Sequence, residues 1–255
     1  MSVRDFMLRH RQLATSIGAG SAILIGGGAA WLLHDQRAAA PSNKAEIELV
    51  VRDYILAHPE IIPQAMEKLR EQQSKSAYAS SKAALETPFA SAWAGAKDGD
   101  VTLVMFTDYA CGYCRTSLPD IDRLLAEDPR LKVVWREIPI LGPGSEVAAK
   151  ASLAAARQGA FREFHERMFA TGQPDGAKVS QVLRSMKLDL RRVQSDLEGP
   201  VVMAELRKNI ELAQRVDEAL ATPTFVIGGQ MLKGAVGYDA LKQAIYDARK
   251  RAKAA

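Results

Sequence analysis

Only two cysteines occur in this 255-residue chain, and they sit three positions apart, in Cys111-Gly112-Tyr113-Cys114. That spacing lets the first thiol lie at the N-terminus of a helix and the second follow on its first turn, within reach. There the helix dipole and the unpaired backbone N–H groups favour a thiolate on the first sulfur. The thiolate is the attacking species in disulfide exchange, so a lowered pKa at Cys111 would make it reactive near neutral pH. Two quieter readings compare poorly. Tetrahedral zinc needs four ligands, yet there is no third cysteine, and only His58 and His165 lie beyond residue 40, without ligand-like spacing. No metal and no cofactor is therefore expected. A structural disulfide across two residues closes so small a loop that it would stabilise little. A redox pair is the reading that remains.

The flanking pattern supplies the elements to hold such a pair. Val101 to Phe106 is a short apolar run behind Asp98-Gly99-Asp100, the mark of a buried strand. A helix is predicted from Gly112 to Leu125, then a second strand from Leu131 to Ile138, ended by Pro139 and the Gly142-Pro143-Gly144 turn. Helices are expected at 145–158 and 161–169, with further helical segments across 179–220 broken at Gly199-Pro200. Thr224 to Ile227, the turn Gly228-Gly229 and Met231 to Lys233 read as a hairpin. A basic-ended helix from Tyr238 to Lys253 closes the chain.

The chain is 47% hydrophobic and 25% charged, ordinary globular usage that excludes a disordered tail, a fibre or a polytopic membrane protein. Its net charge of +4 belongs to the ends: residues 41–248 hold 26 basic against 28 acidic side chains. A nucleic-acid binder carries its basic stripe on the folded body, so no nucleic-acid partner is expected. Near the start, Arg4, Arg9, His10 and Arg11 precede an uncharged run of 21 residues from Leu13 to Leu33. The run is long enough to cross the ~30 Å hydrocarbon core. Residues 1–40 read as a retained membrane anchor or, with Ala38-Ala39-Ala40 as cleavage site, a signal peptide. Either way the rest is exported: held on the periplasmic side of the inner membrane, or soluble in the periplasm if cut near Ala40.

Residues 41–85 read as a helical stalk and linker. Ile47, Val50, Val51, Tyr54 and Ile55 recur at helical spacing, His58-Pro59 interrupts, and Ile61, Ile62, Ala65, Met66 and Leu69 resume the stripe. Gln72 to Lys82 is read as a helix tail or linker. The stripe packs either on its own domain or on a second copy of itself.

From about Pro88 onward, some two-thirds of the chain, the sequence resembles the DsbA-like branch of the thioredoxin superfamily. It is similar to the exported, stalk-bearing ScsC/Com1-like group. The stretches that carry the resemblance are Thr107-Asp-Tyr-Ala-Cys-Gly-Tyr-Cys114, Arg136-Glu-Ile-Pro-Ile-Leu-Gly142 and Thr222-Pro-Thr-Phe-Val-Ile-Gly-Gly229. The stalk segment Glu46-Ile-Glu-Leu-Val-Val-Arg-Asp-Tyr-Ile-Leu-Ala-His-Pro-Glu60 is similar to that group too. The resemblance implies an α/β thioredoxin fold over 86–255 with a helical insertion at about 143–220. It makes Cys111 the exposed nucleophile and Cys114 the resolving thiol, with Gly112 and Tyr113 between them. It also implies a cis peptide before Pro223, with the backbone of Thr222 offered to an extended substrate strand. One departure stands out: relatives commonly hold a buried acid six positions before the first cysteine, where this chain has Met105. Water or Asp108 would then handle protons.

The activity implied is thiol–disulfide exchange on exported proteins, with the direction left open. Gly112-Tyr113 and Thr222 resemble the pairing of disulfide isomerases, and an oligomer built through the stalk suits isomerisation. A monomer re-oxidised by a membrane partner (DsbB-like) would be an oxidase, and one fed electrons by a DsbD/ScsB-like partner a reductase. The rival classes are a non-catalytic periplasmic chaperone and a dedicated reductant of one protein.

Overall fold

The structure, a computed structural model, describes residues 44–217 and 219–254. The expected anchor or signal at 1–40 lies outside them, and among the described residues no helix is long and apolar enough to cross a membrane. The chain divides into residues 1–61 and residues 62–255. The first part holds helix α1 (Lys44–Ala57), none of whose residues is buried. It stops where His58-Pro59 stops it, and Ile47, Val50 and Tyr54 of the stripe are 49%, 65% and 57% exposed.

Helix α2 (Ile61–Glu86) runs unbroken through 72–82, the stretch read as a helix tail or linker. Its far end is core. Ser81 and Leu85 are buried, and Tyr78 packs beside Leu85, Val104, Phe106 and Val134. The expected boundary between residues 85 and 86 therefore falls inside a packed helix.

Beyond it come β1 (Trp93–Gly95), β2 (Val101–Thr107), α3 (Gly112–Glu127) and β3 (Leu131–Glu137). Five helices follow: α4 (Pro143–Ala156), α5 (Phe161–Ala170), α6 (Gly176–Arg184), α7 (Leu190–Leu197) and α8 (Pro200–Val216). The chain ends with β4 (Thr224–Ile227), β5 (Gln230–Lys233) and α9 (Tyr238–Ala254). The sheet order is β1-β3-β2-β4-β5, parallel only between β2 and β3. This is the thioredoxin-like arrangement, with α4 to α8 as the insertion. Strand β1, three residues long, has no signature in the sequence.

Period-two alternation divides the core. Leu103, Met105, Val133 and Trp135 face α3, α9 and part of the insertion, whereas Val104, Phe106 and Val134 face Leu85 of α2 and Leu212 of α8. The β4–β5 turn takes positive φ at Gly228 and Gly229, as a two-residue hairpin requires. Gly229 also needs its missing side chain: a Cβ there would lie 3.1 Å from the Tyr78 ring.

Arg136 fixes the end of α2. Its guanidinium, 1% exposed, donates to Glu205 Oε1 at 2.6 Å and Asn209 Oδ1 at 3.1 Å on α8. It also donates to the carbonyls of Ala84 (2.5 Å), Leu85 (3.2 Å) and Thr87, which the end of a helix leaves without intrahelical partners.

Candidate active site

Strand β2 delivers the chain to the N-terminus of α3, and Cys111 occupies the cap itself. Its φ and ψ are extended (−80°, 113°), and its sulfur accepts the backbone N–H of Cys114 at 3.4 Å. With both cysteines free, the Cys111 thiol donates to the carbonyl of Thr222 at 3.2 Å. The Thr222–Pro223 peptide is cis. Residues 111 positions apart are thus brought together as the resemblance implies. Tyr113 projects outward, 68% exposed, and a side chain at Gly112 would meet nothing within 4 Å.

Cys111 itself is more enclosed than the expected exposed nucleophile. It is 5% exposed against 0% for Cys114, because the cis-proline loop covers one side of the sulfur.

The two thiols are driven apart electrostatically. Cys111 falls from an ordinary 9.0 to about 5, chiefly because the Cys114 thiol donates to it. The Thr222 hydroxyl and the N–H groups of Cys114 and Tyr113 add to this against the opposing effect of burial. Cys114 is raised, first by burial and then by its partnership with Cys111.

Asp108 has a different part from the one expected. It is buried, its Oδ1 accepts from Ala110 N (2.8 Å) and Ser145 Oγ (2.5 Å), and its Oδ2 accepts from Ile140 N (2.8 Å) and Leu141 N (2.9 Å). Four donors hold this carboxylate as a pin joining the cysteine loop, the β3–α4 loop and the start of α4. Met105 is fully buried in the same core cluster as both cysteines, with no polar atom to offer.

Sequence reasoning missed Glu137, although its position gave a signal: it continues the apolar face Val133-Trp135 at the end of β3. It is fully buried, and its Oε1 accepts from Tyr109 Oη (3.0 Å) and Ser152 Oγ (2.9 Å). The Tyr109 hydroxyl also lies 3.0 Å from His165 Nδ1. With its one proton directed at Glu137, it receives the imidazole N–H. His165, discounted from the sequence as a metal ligand, is fully buried between Phe161 and Phe169, and burial lowers its pKa to about 3. Among the described residues no cluster of three His, Cys, Asp or Glu could hold a metal ion.

Residues 102–246 match the DSBA-like thioredoxin domain, and residues 43–75 match the copper resistance protein ScsC N-terminal domain. A thioredoxin-like oxidoreductase from Silicibacter pomeroyi superposes with a TM-score of 0.59 at 38% identity, over 62% of this chain and 91% of that one. A linker-deletion mutant of Proteus mirabilis ScsC superposes with a TM-score of 0.69 at 28% identity, over 85% and 99%. Among curated relatives, the Na(+)/H(+) antiporter NhaA 1 of Salinispora arenicola is 32% identical over 162 residues, 60% of this chain. The match spans only 24% of that protein's length, about a quarter.

Proposed function

Since the chain belongs to the DSBA-like thioredoxin domain family, we propose that it is a thiol:disulfide oxidoreductase acting on exported proteins through Cys111. The observation that carries this reading is the capped sulfur of Cys111, 3.2 Å from the Thr222 carbonyl beside a cis proline, with Cys114 sealed behind it. Cys111 forms the mixed disulfide with the client, and Cys114 resolves it. Gly112 and Tyr113 form the rim, and Thr222 with Pro223 supplies backbone to an extended client segment.

The placement proposed is periplasmic, through residues 1–40 as anchor or signal, with a membrane redox partner resetting the cysteines. Residues 41–75 form a stalk that self-associates, while the end of α2 belongs to the redox domain's core. The exposed stripe of α1, together with Ile62 (51%) and Leu69 (46%) of α2, supports that part of the reading. An assembly of this kind presents several redox sites to one client and favours isomerase use over simple oxidation.

The decisive experiment is trapping. Cys114→Ser in the native exporting cell should accumulate mixed disulfides that dithiothreitol releases, and Cys111→Ser should accumulate none. Trapping that survives loss of Cys111 would reverse the roles. Loss of all trapping, with unchanged client binding, would leave the chaperone reading.

A further inference from the structure

Cys114 poses a proton problem. It is buried in the core, and Met105 occupies the position of the usual acid, so a thiolate formed there is shielded from solvent and has no carboxylate from that position. Glu137 is the buried carboxyl group that lies one strand away. Thr107 and Glu137 are register partners across the parallel β2–β3 pair, and Ile138 N donates to Thr107 O at 2.9 Å. Two polar atoms on these neighbours are buried without a hydrogen-bond partner, Thr107 Oγ1 and Glu137 Oε2. The Thr107 hydroxyl also stands close enough to Cys114 to favour its charged form. Unsatisfied buried polar atoms are rare enough to require a reason, and here both belong to paired residues of neighbouring strands.

We propose that Glu137, acting through the Thr107 hydroxyl, holds the proton that Cys114 takes up and gives back during exchange. The inference rests on the function proposed above. When a client thiolate attacks the oxidised pair, an S–S bond forms to Cys111 Sγ as the Cys111–Cys114 bond breaks. The bonding electrons leave on Cys114 Sγ, which receives a proton from the Thr107 hydroxyl as that hydroxyl takes one from Glu137. A second client thiolate then attacks the client's own sulfur, closes the client disulfide and releases Cys111 as thiolate. Two client thiols are oxidised, the protein disulfide is reduced, and Glu137 regains a proton from those the client sheds. In the reverse direction Glu137 accepts the proton that Cys114 must lose before it attacks.

The groups facing Glu137 keep it protonated for the forward step. Burial first, and then the Asp108 charge, raise its carboxyl to about 8 against the bonds from Ser152 and Tyr109. From α5, His165 approaches Glu137 Oε1 at 4.0 Å and is kept uncharged by burial and by Arg162, so it does not compete for the proton. Tyr109 is held well above its ordinary range, by burial and then by Glu137, and stays a neutral donor.

The test is the rate at which dithiothreitol opens the disulfide of the full chain from about pH 6 to 9, divided by the thiolate fraction of the reagent. For the wild type this normalised rate should be flat and then fall above about pH 8. Glu137→Gln should lower it at least about tenfold at pH 6 to 7, since a positioned acid typically contributes about 10²–10⁴-fold, and abolish the fall. Thr107→Val, which leaves Glu137 in place, should reproduce both effects, and Thr107→Ser should restore the wild-type profile. If Glu137→Gln fails to fold, the two Thr107 variants decide alone. Profiles that superimpose on the wild type would overturn the proton-holding role while leaving disulfide exchange standing. A wild-type chain that dithiothreitol reduces without passing through Cys111 would overturn the functional reading itself.

Discussion

Replacing Arg136 by Met tests how the stalk helix is held to the redox domain. The substitution keeps a long apolar stem in the same space and removes the charge. Glu205, with a side chain 8% exposed, would then lose its guanidinium partner at 2.6 Å, keeping only Lys208 at 3.4 Å. Breaking a buried pair by deleting one member costs ~3–5 kcal/mol. The carbonyls of Ala84, Leu85 and Thr87 lose their donor as well, at about 1 kcal/mol for each that water does not reach. The expected loss is roughly 5–8 kcal/mol, a large share of the ~5–15 kcal/mol that holds a typical domain. Glu205→Leu alone should cost less, about 2 kcal/mol, since Arg136 keeps Asn209 and the three carbonyls. The double variant strands no carboxylate and should lose ~2–3 kcal/mol, so the two single effects do not add. Urea unfolding of the reduced forms, followed by far-ultraviolet circular dichroism, measures all four corners of the cycle. Arg136 points to the opposite face of β3 from the redox site, so the titration of Cys111 should stay in place. A loss below about 1 kcal/mol for Arg136→Met, or strict additivity, would refute the role given to Arg136.

The geometry sets two further outcomes. Ultraviolet thiolate absorbance of the reduced protein should titrate at about 5, against an ordinary 9.0. The midpoint should move upward in Thr222→Val and further in Cys114→Ala. Because this value is depressed, the reduced fold gains stability as pH rises from about 5 toward 9.0 and loses that gain as pH falls through 5. A midpoint at 9.0 or above would remove the capping argument. For the stalk, light scattering should find self-association in a chain starting at Pro41 and a folded, redox-active monomer in one starting at Ser76. A chain starting at Thr87 should be destabilised by at least ~2 kcal/mol through loss of Leu85. Monomers in the first two cases would mean that the stripe packs on its own domain.

The sequence was most legible where function depends on local chemistry. Strand, cap and helix around Cys111 arise from short-range pattern, and the hairpin arises from Gly228-Gly229. Less of α2 could be read, because residues 72–82 are rich in Ser, Ala and Lys and show almost no apolar periodicity. Their helix is decided by distant partners: the Gly229 turn under Tyr78, and Arg136 on the carbonyls of Ala84 and Leu85. Arg136-Glu137 reads as the polar end of a strand leaving the core. That it is buried on both faces depends on Glu205 and His165, 69 and 28 residues further along the chain. Periodicity assigns a face to a side chain; it does not say what will cover that face. Cys111 illustrates the same limit, since the loop that encloses it arrives 111 residues later.

Under the proposed function, the four hydrogen bonds on Asp108 have a consequence for how clients are met. They hold Ala110, Ile140, Leu141 and Ser145 to one carboxylate, so the cysteine loop and the neighbouring β3–α4 loop form one rigid rim. Ile140 and Leu141 remain 36% and 52% exposed on that rim. Ordering a loop on binding costs about 1–2 kcal/mol per residue in backbone entropy, and here that cost is met during folding. The flexible client segment then bears the remaining ordering cost. Discrimination among clients becomes a matter of how cheaply each one straightens, which favours unstructured, misfolded or partly folded chains over segments fixed in a native fold.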